Sequence, residues 1–377
     1  MTSIELKLPY LSATLPGIGG SLRATTDCFV VEEVPLYEPS GEGQHLYVNL
    51  TKSGLTTKDL QIQLERLLKL DRNSVGFAGL KDKYARTTQT FSIPVGHAAT
   101  EAAGGALDQS IVEQIEGSLP VTVQWAKRHN NKLKAGHLLG NRFQITVTDL
   151  PIPIHEAQVR AATIAQTICR RGLPNFFGAQ RFGIDGANVE KGLALIRQQR
   201  RERNPWLRKF LISAYQSYLM NRYLATRIAL DKFDQLLSGD VAKKHETGGM
   251  FDVHDVVAEQ PRYEAQEISF TAPLFGAKMW AAQDEAGALE TAIQVEANIT
   301  TDEWRKAKVE GTRRFGRILV PDIQIQPKQI ALPTVESPQE VLEFTFVLPK
   351  GSFATVLLRE FMKVELEHIA GIDSDAE

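Results

Sequence analysis

The residue in this sequence best suited to chemistry is a single aspartate between two lysines. Asp82 lies between Lys81 and Lys83 in the stretch GLKDKYARTTQ, after an apolar approach over residues 75–80 and before a β-prone segment over residues 90–95. Such an aspartate is expected to stay ionised, because neighbouring cations favour the charged form of a carboxylate. A permanently charged aspartate suits a nucleophile or an electrostatic stabiliser better than a general acid. A surface turn with a local ion pair would show the same pattern.

The segments around this motif predict the elements that must position it. Residues 28–34 and 46–50 are apolar or alternate, and a turn-rich segment separates them, so they are interpreted as a pair of strands. Leucines on one face predict an amphipathic helix over residues 56–70. Residues 97–110 are predicted to be a flexible surface loop, and the alternation over residues 143–147 predicts another strand.

The character of the chain changes after this first part. Residues 156–230 and 284–315 are rich in helix formers, whereas residues 341–347 alternate like a strand. A final helix is predicted around residues 354–364. β-rich ends around a helix-rich middle indicate an α+β domain interrupted by an insertion.

Composition sets limits on the class of protein. The chain has 377 residues, 43% of them apolar, and a net charge of −2. No apolar run approaches the ~18 residues that span a bilayer, and the N-terminus lacks a signal-peptide pattern. Cys28 and Cys169 fit neither a disulfide framework nor a zinc site, which points to the cytoplasm. The eight histidines lack metal-ligand spacing, and no motif demands ATP, a nicotinamide, a flavin or a metal.

Basic and aromatic stretches favour a nucleic-acid partner. Three basic stretches, around residues 127–134, 197–203 and 305–317, are either solvated faces or contacts to a phosphate backbone. The segment PNFFGAQRFG, residues 174–183, combines three phenylalanines with Gln180 and Arg181. Aromatic faces and amides of this kind hold bases that have left a stack, although phenylalanines are usually core residues.

Four motifs in this order resemble one family. FAGLKDKYARTTQ, GNRF, PNFFGAQRFG and LPKGSFATVLLREFM are similar to blocks of the tRNA pseudouridine synthase D (TruD) family, and DCFVVEEVPLYEPSGEGQHL resembles its N-terminal segment. The similarity runs from about residue 20 to about residue 365. It implies an α+β pseudouridine synthase catalytic domain with a mixed, mainly antiparallel sheet, over residues 1–155 and 330–377. A helix-rich α/β insertion (TRUD) domain would occupy residues 156–329.

The resemblance assigns roles to five residues of the site. Asp82 would be the catalytic aspartate. Phe29, in the N-terminal segment, and Phe353, in GSF, would contact the target nucleotide. Asn141, in GNRF, would hydrogen-bond that nucleotide, and Phe143 would support the pocket.

Five further residues are expected to support the site or contact RNA. Lys81 and Lys83 are inferred to be electrostatic neighbours of Asp82 or of phosphate. Gln180 and Arg181 come from the PNFFGAQRFG block, and Arg23 stands near a position where a lysine is familiar in the family. Arg23 is thus one departure from the family, and Phe176, where the family often has tyrosine, is a second.

The implied activity is isomerisation of uridine to pseudouridine, at uridine 13 of tRNA. The reaction needs no cofactor and no metal, and the enzyme is expected to act as a monomer away from membranes. The target leaves the stack, and Asp82 attacks C1′, adds to C6 or assists glycal formation. The group that accepts the C5 proton is not identified. A catalytically silent RNA-binding protein and a carboxylate-dependent glycosidase are the alternatives, and a glycosidase would normally use two carboxylates.

Overall fold

A computed structural model describes residues 7–22, 24–96, 101–332 and 337–364, with side chains described from residue 105 in the helix that begins at residue 101. The described residues form fifteen strands: β1 (Ser21–Leu22), β2 (Phe29–Pro35), β3 (His45–Lys52), β4 (Gly76–Phe77), β5 (Arg86–Pro94), β6 (Val121–His129), β7 (Leu138–Thr148), β8 (Leu173–Pro174), β9 (Val241–Lys244), β10 (Met250–Asp252), β11 (Ile268–Leu274), β12 (Thr312–Phe315), β13 (Arg317–Ile318), β14 (Ile323–Ile330) and β15 (Gln339–Pro349).

The same residues form nine α-helices and three short 3-10 turns. The helices are α1 (Thr57–Leu67), α2 (Glu101–Ser118), α3 (Ile154–Arg171), α4 (Ala187–Ile196), α5 (Pro205–Ala229), α6 (Val256–Glu264), α7 (Asp284–Ala297), α8 (Thr301–Lys306) and α9 (Ala354–Met362). The 3-10 turns are Thr26–Cys28, Ala179–Phe182 and Ile184–Gly186.

The central sheet takes strands from both ends of the chain. Its order is β14-β15-β7-β2-β5-β3-β6, with β1 beside β7 and β4 beside β5, which makes nine strands among the described residues. β2 and β5 pair in parallel, and the other neighbours are antiparallel. The fold is therefore α+β with a mixed, mainly antiparallel sheet, as the sequence predicts.

A second group of elements comes from the middle of the chain. β10, β9, β11 and β12 form a smaller antiparallel sheet, on which α5 packs, and β8 pairs with β13. The core is continuous between the two sheets, since Phe143 and Phe346 of the large sheet belong to the same buried cluster as Phe270 of the small one.

Several local predictions are confirmed by the structure. Helix α1 starts with a capping box, in which Thr56 and Asp59 bond each other's backbone N–H groups, and Leu60 and Leu64 on its inner face are fully buried. β7, β15 and α9 lie where the alternation and the final apolar segment predict them.

Two local predictions are wrong. β2 and β3 belong to one sheet but are not paired, because β5 lies between them and bonds both. Alternation along a strand identifies its buried face but not its neighbour, which is decided by distant segments. Residues 97–100 of the predicted loop over residues 97–110 lie outside the described residues, but residues 101–110 form the start of α2, whose Ile111 and Ile115 are buried against the core beside β3. Gly104 and Gly105 lowered the helical signal of that segment.

Candidate active site

The segment that carries Asp82 connects β4 to β5 and is fixed by buried hydrogen bonds. The backbone N–H of Lys81 donates to Oγ1 of Thr57, the first residue of α1, at 2.7 Å. The Thr57 hydroxyl donates in turn to Oε1 of Gln89 on β5 at 2.8 Å, and Nε2 of Gln89 donates to the carbonyl of Gly79 at 3.2 Å. Thr57 and Gln89 are almost fully buried, so these bonds hold the segment against both α1 and β5.

Asp82 itself is buried, with 7% of its surface exposed. Its Oδ1 accepts a hydrogen bond of 2.8 Å from the backbone N–H of Tyr84, which orients the carboxylate. The neighbouring Lys83 and Tyr84 are exposed. The interpretation of this motif as a simple surface turn is therefore wrong for Asp82, because a carboxylate is rarely buried without a reason.

Lys81 points inward and forms an ion pair with Glu33 of β2. The distance between Nζ and Oε2 is 2.9 Å, and the two side chains are 4% and 3% exposed. The other carboxylate oxygen, Oε1, accepts a long hydrogen bond from the backbone N–H of Thr90. The sequence did not predict this partner, and the pair ties the residue before Asp82 to the central sheet.

The strand register places the predicted nucleotide-contacting residues on one face of the sheet. β2 and β7 pair so that Glu33 lies opposite Asn141 and Val31 lies opposite Phe143. Since alternate residues of a strand share a face, Phe29 lies on the same face as Val31 and Glu33. The ring of Phe143 meets the edge of Phe29 at 6.5 Å. This face therefore combines apolar aromatic surface with the polar pair Glu33 and Asn141.

Asn141 presents a hydrogen-bond acceptor that is not used within the described residues. Its Oδ1 is buried and has no hydrogen-bond partner there. Buried polar atoms are usually paired, so an unpaired acceptor is a place where a ligand donor fits. Phe143, two residues along the strand, lies beside Phe346 of β15, whose ring stacks on it at 5.4 Å.

Phe353 is held by residues from the middle of the chain. Phe177, in PNFFGAQRFG, packs on its ring at 5.8 Å, and Arg314 lies 4.1 Å from the Phe177 ring centroid. Arg314 also donates to Oδ1 of Asn175 at 2.6 Å and to the carbonyl of Gly351. Burial, together with the nearby Arg181, lowers the pKa of Arg314 to about 9, which leaves it charged at neutral pH.

The remaining predicted residues fall in three kinds of place. Gln180 and Arg181 lie in the 3-10 turn Ala179–Phe182, where Arg181 is half-buried and donates to the Ser213 hydroxyl. Phe176 is 1% exposed, so this departure from the family's tyrosine is a core position. Arg23 lies outside the described residues.

Four residues that support this region were not found from the sequence: Glu33, Thr57, Gln89 and Arg314. A signal existed for Glu33, because in FVVEEV it falls on the apolar face of an alternating strand. A charged residue at such a position indicates a buried partner. The others carry no local signal, since their partners are distant in sequence.

The basic stretches are only partly available to a phosphate backbone. Arg128 pairs with Asp108, and Arg313 pairs with Glu290 at 2.6 Å in the protein interior. Arg317 is 2% exposed. These arginines have structural roles, so their interpretation as a phosphate-binding stretch is wrong. Exposed arginines remain around residues 200–203.

Two other kinds of feature are absent from the described residues. No group of three or more histidine, cysteine, aspartate or glutamate side chains there is arranged to hold a metal ion. Likewise, no helix in the described part of the chain combines the length and the apolar character needed to cross a membrane.

Comparison with known proteins agrees with this architecture. The family model of tRNA pseudouridine synthase D (TruD) matches residues 5–203 and 200–361. The chain is 40% identical over 364 residues to a tRNA pseudouridine synthase D of Thermus thermophilus, covering 96% of this chain and 94% of that protein. It is 41% identical over 367 residues to the same enzyme of an Anaeromyxobacter species, covering 95% and 97%.

A solved structure shares the fold. It is a crystal structure of a Methanosarcina mazei protein assigned as tRNA pseudouridine synthase D, with a TM-score of 0.74 and 25% sequence identity. The alignment covers 96% of this chain and 97% of that one. The fold and the match to the family model thus define the class of protein as a pseudouridine synthase. The chain belongs to the tRNA pseudouridine synthase D family.

Proposed function

We propose that this protein isomerises uridine to pseudouridine in tRNA, at uridine 13, with Asp82 as its catalytic residue. Family membership supports the reaction and the substrate class. The observation that carries the proposal is the buried Asp82, in a segment that the Lys81–Glu33 ion pair ties to β2, where Glu33 lies opposite the unpaired amide acceptor of Asn141. Residues of a rigid sheet and a hydrogen-bonded segment give the precise placement that catalysis needs.

The target nucleotide would occupy the space in front of this face after leaving the base stack. Phe29 and Phe353 would contact it through their rings, and Phe143 would support Phe29 from the side. Asn141 would accept a hydrogen bond from N3–H of uracil, which satisfies its buried Oδ1. Cytosine carries no hydrogen on N3, so this acceptor would favour uracil over cytosine.

The chemistry follows from the atoms that must change partners. The N1–C1′ bond breaks, the base rotates, a C5–C1′ bond forms, C5 loses its proton and N1 gains one. Asp82 would attack C1′ and displace N1 of the uracil, add to C6 before the N1–C1′ bond breaks, or assist loss of a ribose proton so that a glycal forms as that bond breaks. All three routes require a carboxylate near the glycosidic bond, and none requires a cofactor.

Five residues would act around this centre. Lys81 would act through its ion pair with Glu33 rather than from solvent, whereas exposed Lys83 is open to phosphate. Gln180, Arg181 and Arg23 would support the site or contact RNA. The same proposal includes a monomeric enzyme acting in the cytoplasm.

The division into domains belongs to this proposal as well. The catalytic domain would comprise residues 1–155 and 330–377, and the insertion residues 156–329. β14, Ile323–Ile330, pairs along its whole length with β15 in the central sheet. This pairing supports moving the second boundary from residue 330 to a point before β14, so that β14 belongs to the catalytic domain.

A tritium-release assay tests the proposal. Unmodified tRNA transcripts labelled at uridine C5 are incubated with the wild type, with Asp82→Asn and with Asp27→Asn, a control at an exposed aspartate. Tritium release by the wild type and by Asp27→Asn, but not by Asp82→Asn, supports the proposal. Asp82→Asn must also bind tRNA and unfold like the wild type. Turnover by Asp82→Asn would remove Asp82 from its role. Binding without release by any variant would favour an RNA-binding protein.

A further inference from the structure

A ladder of aromatic rings and guanidinium groups connects Phe353 to the protein surface. Phe353 packs on Phe177 at 5.8 Å, and Arg314 contacts both rings, 5.9 Å from Phe353 and 4.1 Å from Phe177. Arg181 follows, 6.0 Å from Phe177 and 4.8 Å from Phe210. Each arginine thus contacts two aromatic rings, as cation–π attraction favours.

The ladder ends at an exposed tryptophan. Trp206 stacks on Phe210 at 5.5 Å with an interplanar angle of 11°, and 66% of Trp206 remains exposed. Phe210 is half-buried between this ring and Arg181. The stack therefore presents its outermost ring to solvent, with the half-buried positive charge of Arg181 two layers below.

The position of Trp206 is fixed by the start of α5. Oδ1 of Asn204 accepts hydrogen bonds from the backbone N–H groups of Trp206 and Leu207, at 3.0 and 3.2 Å, and Pro205 is the first helical residue. Such a cap orders the first turn of a helix. The tryptophan is thus presented from an ordered helix rather than from a flexible loop.

Positive charge adjoins this ring. Arg200, Arg201 and Arg203 directly precede α5 and are all exposed. The one carboxylate among them, Glu202, accepts a hydrogen bond from the backbone N–H of Asn204 at 3.0 Å. Excess positive charge beside a solvent-facing aromatic ring is the combination that binds single-stranded nucleic acid.

We propose that Trp206, backed by Phe210, is a stacking platform for an unpaired base of the RNA substrate, outside the pocket of Asp82. Arg200, Arg201 and Arg203 contact the phosphates beside that base. The inference rests on the proposed function only in taking RNA as the partner. The ladder joins this platform to Phe353, which would contact the target uridine.

The simplest alternative is that Trp206 and Phe210 are an ordinary pair of rings one helical turn apart, which contributes to stability alone. Trp280 supplies a matched comparison. Trp280 also comes from the middle of the chain and is 42% exposed. Its Nε1–H donates to Asp252, and it takes no part in the ladder. A general effect of removing an exposed tryptophan would appear at both positions.

The test compares Trp206→Ala, Trp206→Phe and Trp280→Ala by the dissociation constant for two probes, an unmodified tRNA transcript and a 12-nucleotide oligouridine. Removing a stacking ring is expected to weaken binding of both probes about 5- to 150-fold. Trp206→Phe should retain most of the affinity, and Trp280→Ala should match the wild type. Urea unfolding of each variant confirms that the fold is intact.

Three results would overturn the inference: equal binding by Trp206→Ala and the wild type, equal losses in Trp206→Ala and Trp280→Ala, or no binding of either probe by the wild type. The oligouridine separates this inference from the proposed function. If the wild type binds it through Trp206 but releases no tritium from tRNA, the platform stands and the proposed reaction fails.

The arginines are tested by salt dependence. Replacing Arg200, Arg201 and Arg203 together by glutamine should reduce the slope of log Kd against log salt by about 2, since each phosphate contact on a single strand contributes about 0.7. An unchanged slope would remove these residues from the interface. Lys278→Gln, at an exposed lysine paired with Glu310, is the matched control and should leave the slope unchanged.

Discussion

Lys81 and Glu33 form a buried ion pair that joins the residue before Asp82 to strand β2, with 2.9 Å between Nζ and Oε2. Glu33 lies directly opposite Asn141 in the β2–β7 pairing. One carboxylate therefore positions the Asp82 segment relative to the strand that carries the proposed uracil-binding amide. The geometry of the candidate site depends on this contact between segments about fifty residues apart.

Glu33→Gln should strongly destabilise the protein. The substitution leaves the Lys81 ammonium buried without its counter-charge, which costs about 3–5 kcal/mol in unfolding free energy. Urea unfolding measures the loss. Glu32→Gln, at an exposed position of the same strand, should change the unfolding free energy by less than about 0.5 kcal/mol.

The double variant Glu33→Leu, Lys81→Met separates charge burial from packing. Apolar side chains of similar size should restore most of the stability lost in Glu33→Gln, because no charge is left unpaired. A double variant as unstable as Glu33→Gln would show that the unpaired charge of Lys81 is not what destabilises Glu33→Gln. Activity should stay low in the double variant, since the segment beside Asp82 has lost its anchor.

Thr57→Val should loosen the Asp82 segment. The substitution removes the acceptor of the Lys81 N–H and leaves Oε1 of Gln89 without its donor, both in the protein interior. We expect a loss of about 1–3 kcal/mol in unfolding free energy and a lower kcat. Thr167→Val, at an exposed hydroxyl on α3, is the control. A Thr57→Val enzyme with wild-type kcat would contradict the anchoring role.

Arg314→Lys should impair catalysis although the charge is kept. A lysine lacks the planar fork that bonds Asn175 and Gly351 and the flat face that stacks on Phe177. Loss of charge-assisted bonds of about 1.5–3 kcal/mol predicts a tenfold or greater decrease in kcat/KM for tRNA. Arg305→Lys, in an exposed pair with Asp302, should leave kcat/KM unchanged. Equal kcat/KM in both variants would contradict a role for Arg314 in holding Phe353.

Stability should decrease in mild acid because of His245. Burial, with Arg317 and Lys243 nearby, lowers the pKa of this imidazole to about 4 from an ordinary value of 6.5. The unfolded chain therefore takes up a proton as the pH falls below 6.5, whereas the folded protein does not until about pH 4. The contribution of neutral His245 to the unfolding free energy is complete above pH 6.5 and is lost between pH 6.5 and 4. This loss is about 1–2 kcal/mol after allowing for the partial exposure of the side chain.

Urea unfolding between pH 7.5 and 5 of the wild type and His245→Gln checks this expectation. The variant should lose less stability than the wild type over that range. His254→Gln, at an exposed histidine, should follow the wild-type curve. Parallel curves for the wild type and His245→Gln would show that other groups carry the pH dependence.

The sequence by itself determined the elements whose signals are local. The helix at residues 56–70 follows from leucine spacing and a capping box, and the strand at residues 341–347 follows from alternation. The aspartate between two lysines also stood out, because its pattern lies within three consecutive residues. The family resemblance came from contiguous motifs of the same kind.

Only the tertiary structure decided which segments meet. Alternation identified β2 and β3, but strand order and register come from pairing with β5, β6 and β7, which local propensity does not encode. The burial of Asp82, the Lys81–Glu33 pair and the Arg314 contacts to Phe177 and Gly351 depend on groups brought together from distant parts of the chain. Long-range contacts of this kind form when the two sheets close over a shared core, so residue spacing alone does not reveal them.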